Sequence, residues 1–187
     1  SSLGESDNED EPLSWRMDSD QSLSDWTIVI LSQDGNEDVY YVHKNILAVG
    51  PCKSEYFASV FRSYQMQESQ TSTSRIPLDE KAAAVMPKLL DFMYTTELDI
   101  DAQQAGALRY LSHYFGMKLL HRKVMEFIRI NMDMTTVHIY IQDAITFHDD
   151  HIMSLAGDLI VRHIRDLEPS SPLLETMDPD FFLQIVA

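Results

Sequence analysis

The chain has 187 residues, 44% of them hydrophobic, enough to bury a core in one large or two small globular units. Its 30 acidic residues outweigh 14 basic ones for a net charge of −16, which repels phosphate backbones and argues against direct contact with nucleic acid. The one cysteine, Cys52, has no partner for an internal disulfide or a zinc cluster, so a reducing compartment, cytoplasm or nucleus, is expected. No apolar run approaches the roughly 20 residues of a membrane helix, and the acidic start lacks the pattern of a secretory signal.

Residues 1–24 are dominated by Ser, Asp, Glu and Asn, with apolar side chains too scattered to order them, and read as a disordered acidic leader. Order begins with two short β-branched and aromatic runs, residues 26–31 and 39–42, around an acidic turn containing Asp34-Gly35, which is a hairpin pattern. After His43 the apolar spacing becomes helical: Ile46, Leu47 and Val49, then Tyr56, Phe57, Val60 and Phe61. Gly50-Pro51 breaks the first helix, and Ser54 is placed to cap the second.

A polar loop containing Met66 and Glu68 follows, with residues 71–74, "TSTS", reading as a linker before a third short strand at 75–78. A helix over residues 82–94 buries Val85, Met86, Leu89, Leu90 and Met93, with Pro87 predicting a kink or a delayed start. From Ala102 onward every apolar stripe is helical, so the first half is mixed and the second all α.

Strand, strand, "H-K-x-I-L-A", "S-E-Y-F", "M-x-E", strand, helix ending "F-x-Y-T" and then paired helices resembles a BTB/POZ domain followed by the start of a BACK domain. Asp25 matches the acidic residue that opens the first strand; His43, Lys44 and Leu47 match the helix start; Tyr56, Phe57 and Phe61 match the aromatic positions; Phe92 and Tyr94 match the helix ending. The resemblance implies an α+β fold, a short sheet flanked by helices, over residues 25–132. It implies an all-α opening of BACK over residues 133–187, in a chain that is a fragment of a longer protein. Three departures stand out beside Thr96, which occupies a position usually taken by glycine. Residues 49–57, "VGPCKSEYF", run about three residues longer than the family spacing. The segment before the first strand lacks the amphipathic pattern of the helix that many such dimers exchange, and the hairpin turn is long and acidic.

The same resemblance implies a non-catalytic, dimerising adaptor that docks a cullin scaffold, so that a region outside this chain presents substrate proteins for ubiquitination. Met66 and Glu68 occupy the family's hydrophobic-x-Glu docking pattern: a flexible thioether suits an apolar groove, and a carboxylate fixes register through a charge-assisted hydrogen bond. Tyr114, in the turn between later paired helices, is the second docking candidate. The alternative within the family is a self-associating scaffold or transcriptional co-regulator that does not meet a cullin.

Enzymatic readings are weaker, and no cofactor or metal is expected. The "HDDH" cluster, His148 to His151, holds two imidazoles three apart but reads as a polar turn between helices, since metal binding needs a further converging ligand. Cys52 lacks an evident base or oxyanion site, His43 reads as a buried structural residue, and no glycine-rich phosphate loop occurs. Residues 69–74 offer hydroxyls for phosphorylation but read chiefly as a solvated loop.

Overall fold

The computed structural model describes residues 12–33, 35–63 and 67–163. Asp18 caps a single helical turn, α1 (Ser19–Ser22), by accepting from the Asp20 amide. Residues 12–24 thereby differ from the disordered leader expected of them, and residues 1–11 lie outside the described part. The Trp15 indole meets Tyr40 edge-on at 5.3 Å and donates to Asp91 Oδ1 at 2.9 Å, while Arg16 forks onto the same carboxylate. The Arg16 hydrogen bond, with help from Trp15, holds Asp91 below the usual carboxylate range. One aromatic anchor and one bidentate pair do what the average composition of this segment could not.

The two β-branched runs form the expected antiparallel hairpin: β1 (Trp26–Ser32) and β2 (Glu37–Val42) pair from Trp26 opposite Val42 to Leu31 opposite Glu37. A third strand, β3 (Thr73–Leu78), pairs in parallel with the other side of β1, giving the order β2-β1-β3. This corrects the linker reading of "TSTS". Thr73 and Ser74 lie in the ladder, and the fully buried Ser74 hydroxyl accepts from the Trp26 indole at 3.3 Å. A hydroxyl satisfied in this way can sit in a strand although its residue type suggests a loop. Pro77 is tolerated because β3 is an edge strand, where a missing amide donor breaks no ladder bond.

Among the described residues three helices lie between β2 and β3: α2 (Lys44–Ala48), α3 (Glu55–Arg62) and α4 (Gln67–Thr71). After β3 come α5 (Glu80–Ala84) and α6 (Met86–Thr95). The kink expected at Pro87 takes the form of a break at Val85, which puts the proline in the first turn of α6, where its missing amide costs nothing. Two longer pairs complete the described chain: α7 (Ala102–Tyr114) with α8 (Lys118–Asn131), and α9 (Val137–Phe147) with α10 (Asp150–His163). A capping box between Asp101 and Gln104 starts α7.

One core runs from the sheet through α7 and α8, joining Ile28, Ile30, Phe57, Leu89, Phe92, Leu108, Phe115 and Leu120, all fully buried. Each such side chain contributes roughly 1.5–3 kcal/mol relative to exposure. A smaller cluster of Val137, Ile141, Ala156 and Ile160 joins α9 to α10. Helix α9 docks on α7 by a polar device: Asp143, 1% exposed, pairs with Lys81 of α5 and packs its carboxylate over Gly106 of α7. Burial raises the Asp143 pKa, while Lys81 opposes that rise.

Candidate docking face

The face is assembled around the N-terminus of α3. Ser54 accepts from the Phe57 amide at 3.2 Å, as the sequence predicts of a cap, and donates its hydroxyl to the Phe115 carbonyl at 2.7 Å. The same carbonyl accepts from the Tyr56 amide at 3.2 Å. Two bonds therefore staple the turn between α7 and α8 onto the start of α3. Gly116 completes that turn with φ +64°, and a Cβ there would press on Glu55 at 3.0 Å. Aromatic rings fill the seam: Phe57 stacks on Phe115 at 5.4 Å and on Phe61 at 5.9 Å, and Phe61 meets Trp26 edge-on at 4.6 Å.

On the outer side of this seam the Tyr56 hydroxyl donates to Glu68 Oε1 at 3.2 Å, and the Tyr56 ring lies 6.1 Å from that of Tyr114. Burial first, then the Glu68 charge, pushes the Tyr56 phenol upward; burial with Tyr110 and Glu68 does the same for Tyr114. Tyr114 remains 39% exposed. Tyr56 thus gathers two of the three docking candidates, Glu68 and Tyr114, while Met66 lies outside the described residues. Helix α4 is held in turn by Ser69, whose hydroxyl donates to the Val60 carbonyl at 2.7 Å. Four hydroxyls of residues 69–74 are already engaged: Ser69, Thr71 on the Gln67 carbonyl at 3.2 Å, Thr73 on the Thr71 carbonyl at 3.1 Å, and the buried Ser74.

The other matched residues are structural. Asp25 accepts from the Lys44 amide at 2.8 Å, which anchors the start of α2 to the foot of β1. His43 is buried at the strand-to-helix junction. Its Nε2 lies 2.6 Å from the Ser22 carbonyl and so carries the hydrogen; its Nδ1 lies 2.7 Å from the Tyr94 hydroxyl and accepts from it. Tyr94 also accepts from the His43 amide at 3.1 Å, so α6 and α2 share one hydroxyl. Leu47 and Phe92 are fully buried, and the Leu47 carbonyl accepts from Ser54 at 2.8 Å across the long corner. Gly50 makes that corner with φ +86°. Lys44 lies 4.9 Å over the Trp26 ring, a cation–π contact.

The chemical alternatives find their residues otherwise engaged. Cys52 is buried, and desolvation pushes its thiol upward, away from the reactive thiolate. Both ring nitrogens of His43 are occupied. In the "HDDH" turn, Asp149 is taken by Arg109 and caps α10 by accepting from the Ile152 amide at 3.1 Å. Among the described residues no group of three or more His, Cys, Asp or Glu side chains could hold a metal ion, and no helix is long and apolar enough to cross a membrane.

A small sheet flanked by helices carries an aromatic–carboxylate face, the arrangement of a protein-interaction module. The sequence profile of the BTB/POZ domain matches residues 16–131, and the chain belongs to the BTB/POZ family. That match begins at Arg16, inside the stretch expected to be a leader. No curated protein matches the chain at a significant level.

Proposed function

We propose that this chain is a non-catalytic adaptor that docks a cullin scaffold through the face around Tyr56, so that a region outside it presents substrates for ubiquitination. The observation that carries the reading is the Tyr56 bridge: one phenol hydrogen-bonds Glu68 and neighbours exposed Tyr114, so two distant candidates form one surface. Aromatic rings beside a fixed carboxylate are the chemistry of an interface anchor, and Met66, adjacent in sequence, supplies an apolar plug. In the same reading residues 133–187 open a BACK domain, and α9 with α10 is its first helical pair. Self-association accompanies docking, and Val39 and Tyr41 on edge strand β2, each roughly half exposed, support it.

Calorimetric titration with a cullin N-terminal domain tests this. Wild type should bind, and Glu68→Ala, Tyr114→Ala and Met66→Ala should each weaken binding by about tenfold, the scale of 1.4 kcal/mol at an interface anchor. No binding by wild type rejects the adaptor reading; unimpaired binding by all three variants rejects the face.

A further inference from the structure

A second polar cluster, which the docking reading does not use, lies where α7, α8 and the turn between α9 and α10 meet. Arg109 of α7 is its centre. Its Nε and Nη2 engage both oxygens of Asp149, the latter at 3.0 Å; its Nη1 lies 2.8 Å from Met125 Sδ and 3.2 Å from His121 Nε2. A guanidinium only donates, so His121 Nε2 must offer its lone pair. The other ring nitrogen faces Ser112 Oγ at 3.2 Å, and that hydroxyl already donates to the Arg109 carbonyl at 2.6 Å. Its oxygen is left to accept, which places the hydrogen on His121 Nδ1. Every contact is satisfied by one species, the neutral Nδ1–H tautomer.

We propose that His121 is a pH-sensitive latch, and that protonating its ring releases the α9–α10 turn from the α7–α8 pair. A proton on Nε2 would set an N–H against Arg109 Nη1 and place two cations 3.2 Å apart. Arg109 cannot deprotonate, so the strain falls on the geometry. Withdrawal of the guanidinium pulls on Asp149, which caps α10 through the Ile152 amide and, through its backbone carbonyl, accepts from Met153 at 3.0 Å. A cavity of about 210 Å³ beside the cluster, lined in part by Tyr110, Phe147 and His148, gives the side chains room to move and a path for protons.

The facing charges favour the neutral ring. Desolvation and then Arg109 lower the His121 pKa; His113 of α7 and His151 of α10 add to this, and only Asp149 opposes it. Asp150 also lines the cavity. Asp149 stays ionised throughout: burial works against it, but the Arg109 pair and the Ile152 amide hold it below the usual carboxylate range. The sign follows from a depressed folded value. The latch is closed above the unperturbed histidine pKa of about 6.5 and opens as pH falls through the lower folded one.

Amide hydrogen exchange on the whole chain, corrected for intrinsic rates, tests the latch from about pH 7 to about pH 5, the range in which histidine titrates. Protection over residues 147–153 should fall progressively in wild type as the pH drops, while β1 holds its protection. His121→Gln keeps an acceptor for Arg109 but cannot titrate, so its profile should be flat. Parallel wild-type and His121→Gln profiles, or a wild type with no change, overturn the proposal. Should the variant misfold, the ring's own titration by NMR in wild type decides: a midpoint at or above about 6.5 overturns the latch, and a lower one, moving with the exchange midpoint, upholds it.

Discussion

Gly106→Ala tests how α9 is held on the rest of the chain. In the interior of a solvent-facing helix, alanine is better than glycine by about 1 kcal/mol, so propensity alone predicts a gain. Gly106, however, is buried in the middle of α7, and a Cβ there would overlap the Asp143 side chain as far back as its own Cβ, an atom fixed to the α9 backbone. The carboxylate has nowhere to turn, being 1% exposed and paired with Lys81. If α9 shifts, overpacking costs about 1–3 kcal/mol. If the pair opens instead, a buried charge without its partner costs about 3–5 kcal/mol. Set against the propensity gain, the net loss in urea unfolding should be up to about 2 kcal/mol by the first route and about 2–4 kcal/mol by the second. The same substitution in an Asp143→Gly background should lose its penalty and show the propensity gain, because the overlapping atoms are gone. A Gly106→Ala chain that is more stable than wild type by the full propensity gain of about 1 kcal/mol would refute the close approach of α7 and α9.

Thr96 ends α6 in the left-handed region at φ 66°, which explains why the family favours glycine there. Left-handed backbone costs an L-residue about 1–2 kcal/mol, and glycine gives back about 0.4–1 of that gain through unfolded-chain entropy, so Thr96→Gly should raise stability by up to about 1.6 kcal/mol. A calorimetric midpoint that falls instead would show that the threonine earns its place by some other contact. Ser54→Ala removes the α3 cap and leaves the buried Phe115 carbonyl with one donor fewer. The expected cost is about 1–3 kcal/mol in denaturant, and an unmoved midpoint would refute the stapling role.

The fold was legible where a local pattern and its tertiary use agree. The β1–β2 hairpin, the Ser54 cap and the interruption at Pro87 each follow from residues adjacent in sequence, and each stands as read. The misses share a physical cause. Ser74 looks like loop and Trp15 looks stranded in an acidic tail, yet each is placed by a partner far along the chain: the Trp26 indole for Ser74, Asp91 for Trp15. A polar residue's preference for loops reflects the cost of burying an unsatisfied hydroxyl, and that cost disappears when a donor is delivered from 48 residues away. No windowed periodicity carries that information.

The candidate face divides the same way. Glu68 and Tyr114 came from the family's motif order, and nothing local connected them. The connecting residue is Tyr56, read from sequence as one more matched aromatic, whose hydroxyl reaches outward to Glu68 while its ring packs on Phe57 and Phe115. An apolar ring with a polar tip is suited to the boundary between core and surface, so its presence at the head of α3 was the available signal. Arg109 gave no such warning, because Asp149 is 40 residues on and His121 lies on another helix. The consequence is asymmetric. The docking face can be interrogated one side chain at a time, since Tyr56 keeps its packing when Glu68 is truncated. Arg109, Asp149 and His121 share a single guanidinium, so their substitutions should be non-additive, and only a paired substitution cycle can separate the ion pair from the imidazole contact.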